Sequence, residues 1–465
     1  MRRWIAGQLI ALSIVVTNVR ADDVAPLLPL ETKFPSDKIV KITDTGAVAD
    51  GTALCNDAIT KAIDQCAAAG GGIVEFPAVA HPQTRASDTI YLTGAIHMKS
   101  NITLQIDEGV TLKFTTDRAQ YPLVKTRYEC TDVMNYSPLI YAYQCENIRI
   151  TGKGTLDGQG QAWWDWTRGK PAAQAIRPFT NDRDGKIPID QRVFGEKVQG
   201  LRPCFIEPYE CRNVLIENVT LRQSPFWNIH PLYSQNVTVR GVTVFGDGPN
   251  TDGCDPDSCK TVLIDKCIFT TGDDCIAIKS GRDGDGIHRN APCENITIRD
   301  CIMKGGHGAV TMGSETSGGI RHVLAENCKV DGPDSAIRLK STRGRGGGIE
   351  DVLVKKMAVT RTQKYAITID MKYTQTPDAP FSETTPLFKD IRIEDFSCDA
   401  APQAIYVMGL NESRVQNVAL RRITIKADRG ATLENVDGLT RDHVELTVRT
   451  GQPWELKSVQ NISEN

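Results

Sequence analysis

From Val214 to Val418 the chain repeats one pattern of apolar and polar positions. With Val214, Val237, Val262, Ile296, Val323, Val352, Ile391 and Val418 set as position zero, the repeats lie about 23 to 39 residues apart, the range of a solenoid. Position plus two carries Ile216, Val239, Ile264, Ile298, Ala325, Val354, Ile393 and Leu420. Position plus five carries Val219, Val242, Cys267, Cys301, Cys328, Met357, Phe396 and Ile423, and position plus seven Leu221, Val244, Phe269, Met303, Val330, Val359, Cys398 and Ile425. All are apolar. Alternation with period two, broken by a bend, predicts two short strands per turn. A third strand follows in Ile229, Ile276–Ile278, Val310–Met312, Ile337–Leu339 and Ile405–Val407. Stacked strands without hairpin signals predict an all-β, single-stranded, right-handed parallel β-helix, the hand following the usual sense of parallel crossovers.

The pattern upstream is different. A strand is expected at Ile39–Ile42, and the one strong helical period runs from Thr52 to Ala69, with Leu54, Ala58, Ile59, Ala62, Ile63 and Cys66 on one face and Gly70-Gly71-Gly72 to end it. This helix is expected to cap the N-terminal end of the solenoid, whose first coil is otherwise an open sheet edge. The repeat is interrupted once, by a long polar segment from Gln161 to about Arg202 that opens with Trp163, Trp164 and Trp166. Loops of that length carry function or are disordered. The tryptophans suit either sugar stacking or anchorage of their own loop.

Composition narrows the class. With 465 residues, 40% of them hydrophobic and 24% charged, the chain can bury a long core, and residues 39–465 are read as one β-helix domain. Arg2-Arg3, the apolar run Trp4–Val16 and Val19-Arg20-Ala21 predict a cleavable leader over residues 1–21, hence a secreted or periplasmic protein, followed by a lead-in over 22–38. The formal charge is −3, and loss of Arg2, Arg3 and Arg20 makes it −6. That argues against a nucleic-acid partner, and no later run is long enough to span a membrane. Fourteen cysteines spread through so long a chain do not form the framework of a small stapled domain. Most are expected to be free; Cys204 with Cys211 and Cys254 with Cys259 are the pairs to examine for bridges. Cys267, Cys301 and Cys328 share one register and read best as a buried stack. The Asn-x-Thr sequons at Asn101, Asn218, Asn236 and Asn295 are expected as by-products of the strand pattern.

Four polar signals punctuate the coils: Asn250-Thr251-Asp252, Asp273-Asp274, Gly306-His307-Gly308 and Arg338-Leu339-Lys340. Alignment of Asp274-Cys275-Ile276 with Gly308-Ala309-Val310 and Ser335-Ala336-Ile337 puts Asp273, His307 and Asp334 in one register. It puts Asp252 level with Asp274 if Cys254 matches Ile276. Neighbouring coils lie about 4.8 Å apart, so Asp252, Asp273, Asp274 and His307 converge outside three coils, with Lys279, Arg338, Lys340 and Asp255 beside them. Singly, each is an ordinary turn or surface residue. Together, three crowded carboxylates cost stability unless chemistry uses their shifted pKa values. Acid–base hydrolysis of a glycoside fits such a cluster, and the neighbouring basic pair suits a sugar that carries a carboxylate.

In this order and on successive coils, the four signals resemble the signatures of the polygalacturonases of glycoside hydrolase family twenty-eight. Gly46–Leu112, Ser137–Tyr143, Gly154–Trp166, Ser224–Asn228, Gly253–Cys259 and Ser341–Gly348 resemble its bacterial, exo-like branch. The resemblance implies inverting hydrolysis of α-1,4 galacturonide links without metal or cofactor, by a chain expected to work as a monomer. It implies Asp273 as general acid, Asp252 and Asp274 as the groups that hold and deprotonate water, and His307 as the residue that tunes or positions Asp273. Asn250, Arg338 and Lys340 are implied as substrate contacts; Lys279 is added from its register alone. Other readings are a hydrolase of rhamnogalacturonan or xylogalacturonan, a β-helix lyase acting by elimination, and a non-catalytic polysaccharide-binding protein.

Overall fold

The computed structural model describes residues 25–79, 89–167, 171–195 and 200–464; the expected leader lies outside them. Three parallel walls coil into a right-handed β-helix. The first wall stacks Ile102–Ile106, Glu146–Gly152, Arg212–Glu217, Gln235–Arg240, Lys260–Asp265 and Cys293–Arg299, and Val214, Val237, Val262, Ile296, Val323, Val352, Ile391 and Val418 pair one to the next as the repeat requires. All residues at positions plus two, plus five and plus seven are buried. Each inward Ile, Leu or Val contributes on the order of 1.5–3 kcal/mol, so the repeated apolar register is the main force holding the coils.

The cap is shorter than its helical period. The α-helix is Asn56–Ala68, while Asp50–Leu54 is a strand paired with Thr89–Thr93, which leaves Leu54 outside the helix and 48% exposed. Alternation in the 50–54 segment fits a strand as well as the apolar count fits a helix, and pairing decides it. Ala58, Ile59, Ala62, Ile63 and Cys66 form the buried face. Gly70 and Gly71 follow in left-handed conformation and end the helix. Upstream, the strand stops at Lys41, and Ile42–Thr45 is a 3₁₀ turn.

All fourteen cysteines are free and buried. The Cys204–Cys211 and Cys254–Cys259 bridges are therefore absent. Cys267, Cys301 and Cys328 stack in one register, and their thiols donate to the carbonyls of Val239 (3.5 Å), Arg299 (3.2 Å) and Glu326 (3.3 Å).

The sequon asparagines have a conformational role. Asn101, Asn218, Asn236 and Asn295 all have φ between 59 and 65°, the left-handed region that asparagine tolerates well. Asn101, Asn147, Asn213 and Asn236 join side chain to side chain down the coils at 2.6–2.8 Å. Asn236 and Asn295 also accept hydrogen bonds from the Leu30 and Leu27 amides, so the lead-in lies along the outside of the first wall.

The excursion and a feature missed in the sequence together build a barrier beside the third wall. Leu123–Tyr128 and Thr131–Tyr136 form an antiparallel hairpin, and the excursion contributes the helix Pro171–Thr180. Ile176, Phe194 and Leu201 of the excursion pack on Tyr128 and Val133 of the hairpin and on Phe226 and Trp227 of the coil. Buried ion pairs pin the pieces: Arg127 to Asp132 (2.9 Å) and Asp257 (2.7 Å), and Arg192 to Asp285 (2.9 Å) in the short helix Asp283–Arg289. Trp163 is buried against Tyr121, Tyr136 and Trp166, and the Trp164 indole donates to the Ser224 carbonyl. Anchorage, then, accounts for Trp163 and Trp164.

Candidate active site

The third wall carries the polar signals in the expected register. Ile276 pairs with Val310 and Val310 with Ile337, while Cys254 bridges to Ile276 and Asp257 to Lys279. Residues before each strand sit at the corner and turn their side chains outward. One row is therefore Asp273, His307, Asp334 and Lys364; the next is Asp274, Gly308, Ser335 and Tyr365. Strand alternation then presents Arg338 and Lys340 on the same face.

Asp334 and Lys364 of these rows line a cavity of 340 Å³ together with all eight expected site residues, Asn250, Asp252, Asp273, Asp274, Lys279, His307, Arg338 and Lys340. Carboxylate oxygens of Asp252, Asp273 and Asp274 lie within 4.8 Å of one another. Three cations meet them. The two oxygens of Asp274 accept separately, Oδ1 from Arg338 Nη1 at 3.0 Å and Oδ2 from Lys340 Nζ at 2.9 Å. Lys279 Nζ lies 3.7 Å from Asp252 Oδ2 and 4.4 Å from the centre of the Trp227 ring. Asp255, expected beside the cluster, is fully buried and does not line the cavity, and neither of its oxygens has a hydrogen-bond partner among the described residues.

The electrostatics separate the carboxylates. Burial pushes Asp252 well above the usual carboxylate range, and the charges of Asp255 and Asp273 push it further. Burial acts on Asp274 too, but Lys340, Arg338 and Lys279 outweigh it and hold this carboxyl well below that range. Asp273 is half-buried at the cavity surface. Its Oδ1 accepts from the Asp274 amide at 2.8 Å and its Oδ2 from Asn250 Nδ2 at 3.4 Å. Asn250, at φ 56°, is itself held by Arg202, whose guanidinium donates to Asn250 Oδ1 at 2.6 Å.

Two expected partnerships differ in detail. His307 makes its hydrogen bond with Asp334 Oδ2 (2.9 Å) through Nδ1, and Asp334 also pairs with Lys364 at 2.8 Å. A shared register brings Asp334 beneath the imidazole. Arg338 and Lys340 already hold a carboxylate, that of Asp274. Arg338 has five N–H donors and Lys340 three, so both retain donors for a second anion.

Sequence reasoning missed several lining residues: Glu129, Phe226, Trp227, Glu315, Lys364 and Tyr373. Lys364 was within reach, one coil beyond Asp334 in the same row. Tyr373, whose ring lies 5.7 Å from the Arg338 guanidinium carbon and 5.4 Å from Lys340 Nζ, stands on an irregular loop with no repeat to place it. Glu129, Phe226 and Trp227 mark where the barrier meets the cavity. Trp227 precedes Ile229, which bridges to Cys254, which bridges to Ile276. Trp227 thus belongs to a coil two before that of Asp274. Its ring nevertheless reaches to 4.4 Å from Lys279 Nζ, and Glu129 of the hairpin pairs with Arg282 (3.5 Å) just past the strand Ile276–Ile278, so the barrier extends to the coil of Asp274 itself. On the other side, towards Lys364 and the C-terminal coils, the third wall continues.

Comparison with known proteins gives consistent results. A family profile described as Glycosyl hydrolases family 28 matches residues 189–445. A protein of Vitis vinifera named probable polygalacturonase is 30% identical over 397 residues, covering 83% of this chain and 73% of its own length. An exo-poly-alpha-D-galacturonosidase of Dickeya chrysanthemi is 29% identical over 355 residues, 70% of this chain and 56% of that longer protein. Among solved structures, a hyperthermoactive exopolygalacturonase from Thermotoga maritima superposes with a TM-score of 0.78 at 32% identity, covering 95% of this chain and 94% of the other.

Proposed function

The chain belongs to glycosyl hydrolases family 28, and on that footing we propose that it hydrolyses the α-1,4 galacturonide links of polygalacturonate from the chain end. The single observation that carries the reading is the cavity in which three carboxylates and three cations converge against a barrier on one side. The cations suit a polyanionic sugar. We place a single sugar between the barrier and the carboxylates, because the Trp227 ring, 4.4 Å from Lys279 Nζ, bounds the cavity on that side. The released product is therefore monogalacturonate.

Roles follow from the environments. Asp273 donates its proton to the glycosidic oxygen as the bond to C1 breaks. Asp252, whose raised pKa makes it the stronger base, takes the proton of the water whose oxygen bonds to C1, and Asp274, level with it on the adjacent coil, helps hold that water. Asp274 is unsuited to attack C1 itself, because both of its oxygens accept from cations and its depressed pKa makes it a poor nucleophile. Water attack inverts the anomeric centre. The carboxylates nevertheless stand closer than the roughly 6.5–9.5 Å usual for inverting pairs, which makes stereochemistry a sharp test. Proton NMR of the first product formed from an α-linked oligogalacturonide is expected to show the β-anomer; the α-anomer would replace the water mechanism with a covalent one. Ultraviolet-absorbing unsaturated ends would instead identify a lyase. His307, held by Asp334, is proposed to orient the leaving-group side of the bond, with Arg338 and Lys340 contributing their remaining donors to a galacturonate carboxylate. Export to the cell exterior or periplasm, where pectin is met, fits the Arg2–Ala21 leader.

A further inference from the structure

Beyond the cavity, on the side away from the barrier, the outward rows of the third wall lead to a pair of tyrosines. Ser335 pairs with Tyr365 and Tyr365 with Gln403; Arg338 pairs with Thr368 and Thr368 with Tyr406. Tyr365 therefore lies one coil beyond Ser335 in the row that begins at Asp274, and Tyr406 two coils beyond Arg338. Their rings stack, with centroids 5.0 Å apart and planes 29° from parallel. Both are half-buried, so each ring keeps a solvent-facing part. Lys364, which lines the cavity, flanks this floor through its pair with Asp334, and Lys372, paired with Glu434 at 2.8 Å, stands near its other margin.

From this placement we infer that Tyr365 and Tyr406 form the sugar-stacking floor of the subsites for the leaving part of the polymer, with Lys364 as the cation nearest the sugar carboxylate. The inference rests on the proposed chain-end hydrolysis. Two physical points carry it. A chain cleaved against a barrier must run out over the opposite side, and that path crosses these coils. Moreover, the two half-buried rings bury each other only in part, and the apolar face of a pyranose completes their burial at little entropic cost because tyrosine has only two side-chain torsions. Tyr365 lies four coils and Tyr406 five coils from Asp252, about 19–24 Å at the usual strand spacing and beyond the reach of a disaccharide that spans only the cleaved bond. Their effect must therefore grow with chain length.

The test compares kcat/KM on digalacturonate, trigalacturonate and hexagalacturonate for the wild type, Tyr406→Ala, Tyr365→Ala and Tyr406→Phe. The ratio of hexamer to dimer is expected to fall about tenfold in each alanine variant, through KM rather than kcat, and to be kept in Tyr406→Phe, which retains the ring. Thermal unfolding of each variant separates lost stacking from lost fold. A ratio unchanged in both alanine variants, or a loss equal on all three lengths, overturns the floor. Failure of the wild type to cleave any of the three would instead defeat the proposed reaction, leaving a different signature.

Discussion

Asp273→Asn is expected to lower kcat on polygalacturonate by about a thousandfold, within the 10²–10⁴ that a positioned general acid supplies. Asparagine keeps the shape and the acceptor oxygen, so the Asp274 amide, which donates to Asp273 Oδ1 at 2.8 Å, keeps a partner. What it cannot do is give up an acidic proton. Its amide group would face Asn250 Nδ2, replacing a 3.4 Å contact that is worth about 1 kcal/mol or less. The fold and the binding of oligogalacturonate are therefore expected to survive, with Tm shifted by a few degrees at most and Kd within severalfold of the wild type. Asp273 is also one of the charges that push Asp252 upward, after burial and Asp255. Its neutralisation should ease the ionisation of Asp252, so residual activity in the variant should extend to lower pH. Reducing-sugar assays across pH, titration of bound oligomer and thermal unfolding measure all four. Near-normal turnover would remove Asp273 from the chemistry.

The second large effect concerns the barrier. Arg127→Met removes a fully buried guanidinium from between Asp132 and Asp257 and strips the Tyr233 hydroxyl of its donor. Among the described residues, Asp132 would then keep only Arg289 as a cation, and Asp257 only His230, so both buried carboxylates lose the cation that joins them. Breaking such a pair by deleting one partner costs about 3–5 kcal/mol, far more than the pair contributes against a well-packed apolar pair. Burial opposes the charge on Asp257, but Arg127 and His230 hold its carboxyl well below the usual range. Stability from this group is present above the unfolded value of about 3.9 and is lost as pH falls through the depressed folded value. Because the hairpin, the excursion and the Asp283–Arg289 helix are fastened by the same buried charges, the loss should open this unit before the coils, whose apolar stack is untouched. Limited proteolysis is expected to cut first in residues 123–136, and the products should lengthen from monomer to mixed oligomers. A variant with wild-type protection of that hairpin would show that the barrier stands without Arg127.

Much of this was readable along the chain, for a physical reason. A solenoid repeats one coil, so one correct alignment places every row: Asp252 level with Asp274, and Lys279 beside them, followed from matching Cys254 to Ile276. Prediction failed where the repeat lapses. The hairpin at Leu123–Tyr136 turns through Glu129 at φ 47°, with none of the glycine or asparagine chemistry that announces a tight turn. Asp50–Leu54 satisfies helical and extended patterns alike, and only its pairing with Thr89–Thr93 decides between them. Tyr373 comes from a loop that no periodicity orders. The cavity's centre belongs to the repeat and its closed end to the interruptions. Chemistry was therefore more legible than the mode of attack.

That mode, chain-end hydrolysis against a barrier, is the central claim, and one time course tests it. Wild-type protein is incubated with polygalacturonate while solution viscosity, new reducing ends and soluble products are followed together. The account predicts monogalacturonate as the sole early product, with reducing ends accumulating steadily while viscosity falls slowly. A steep early drop in viscosity with mixed oligomers at low conversion would contradict it.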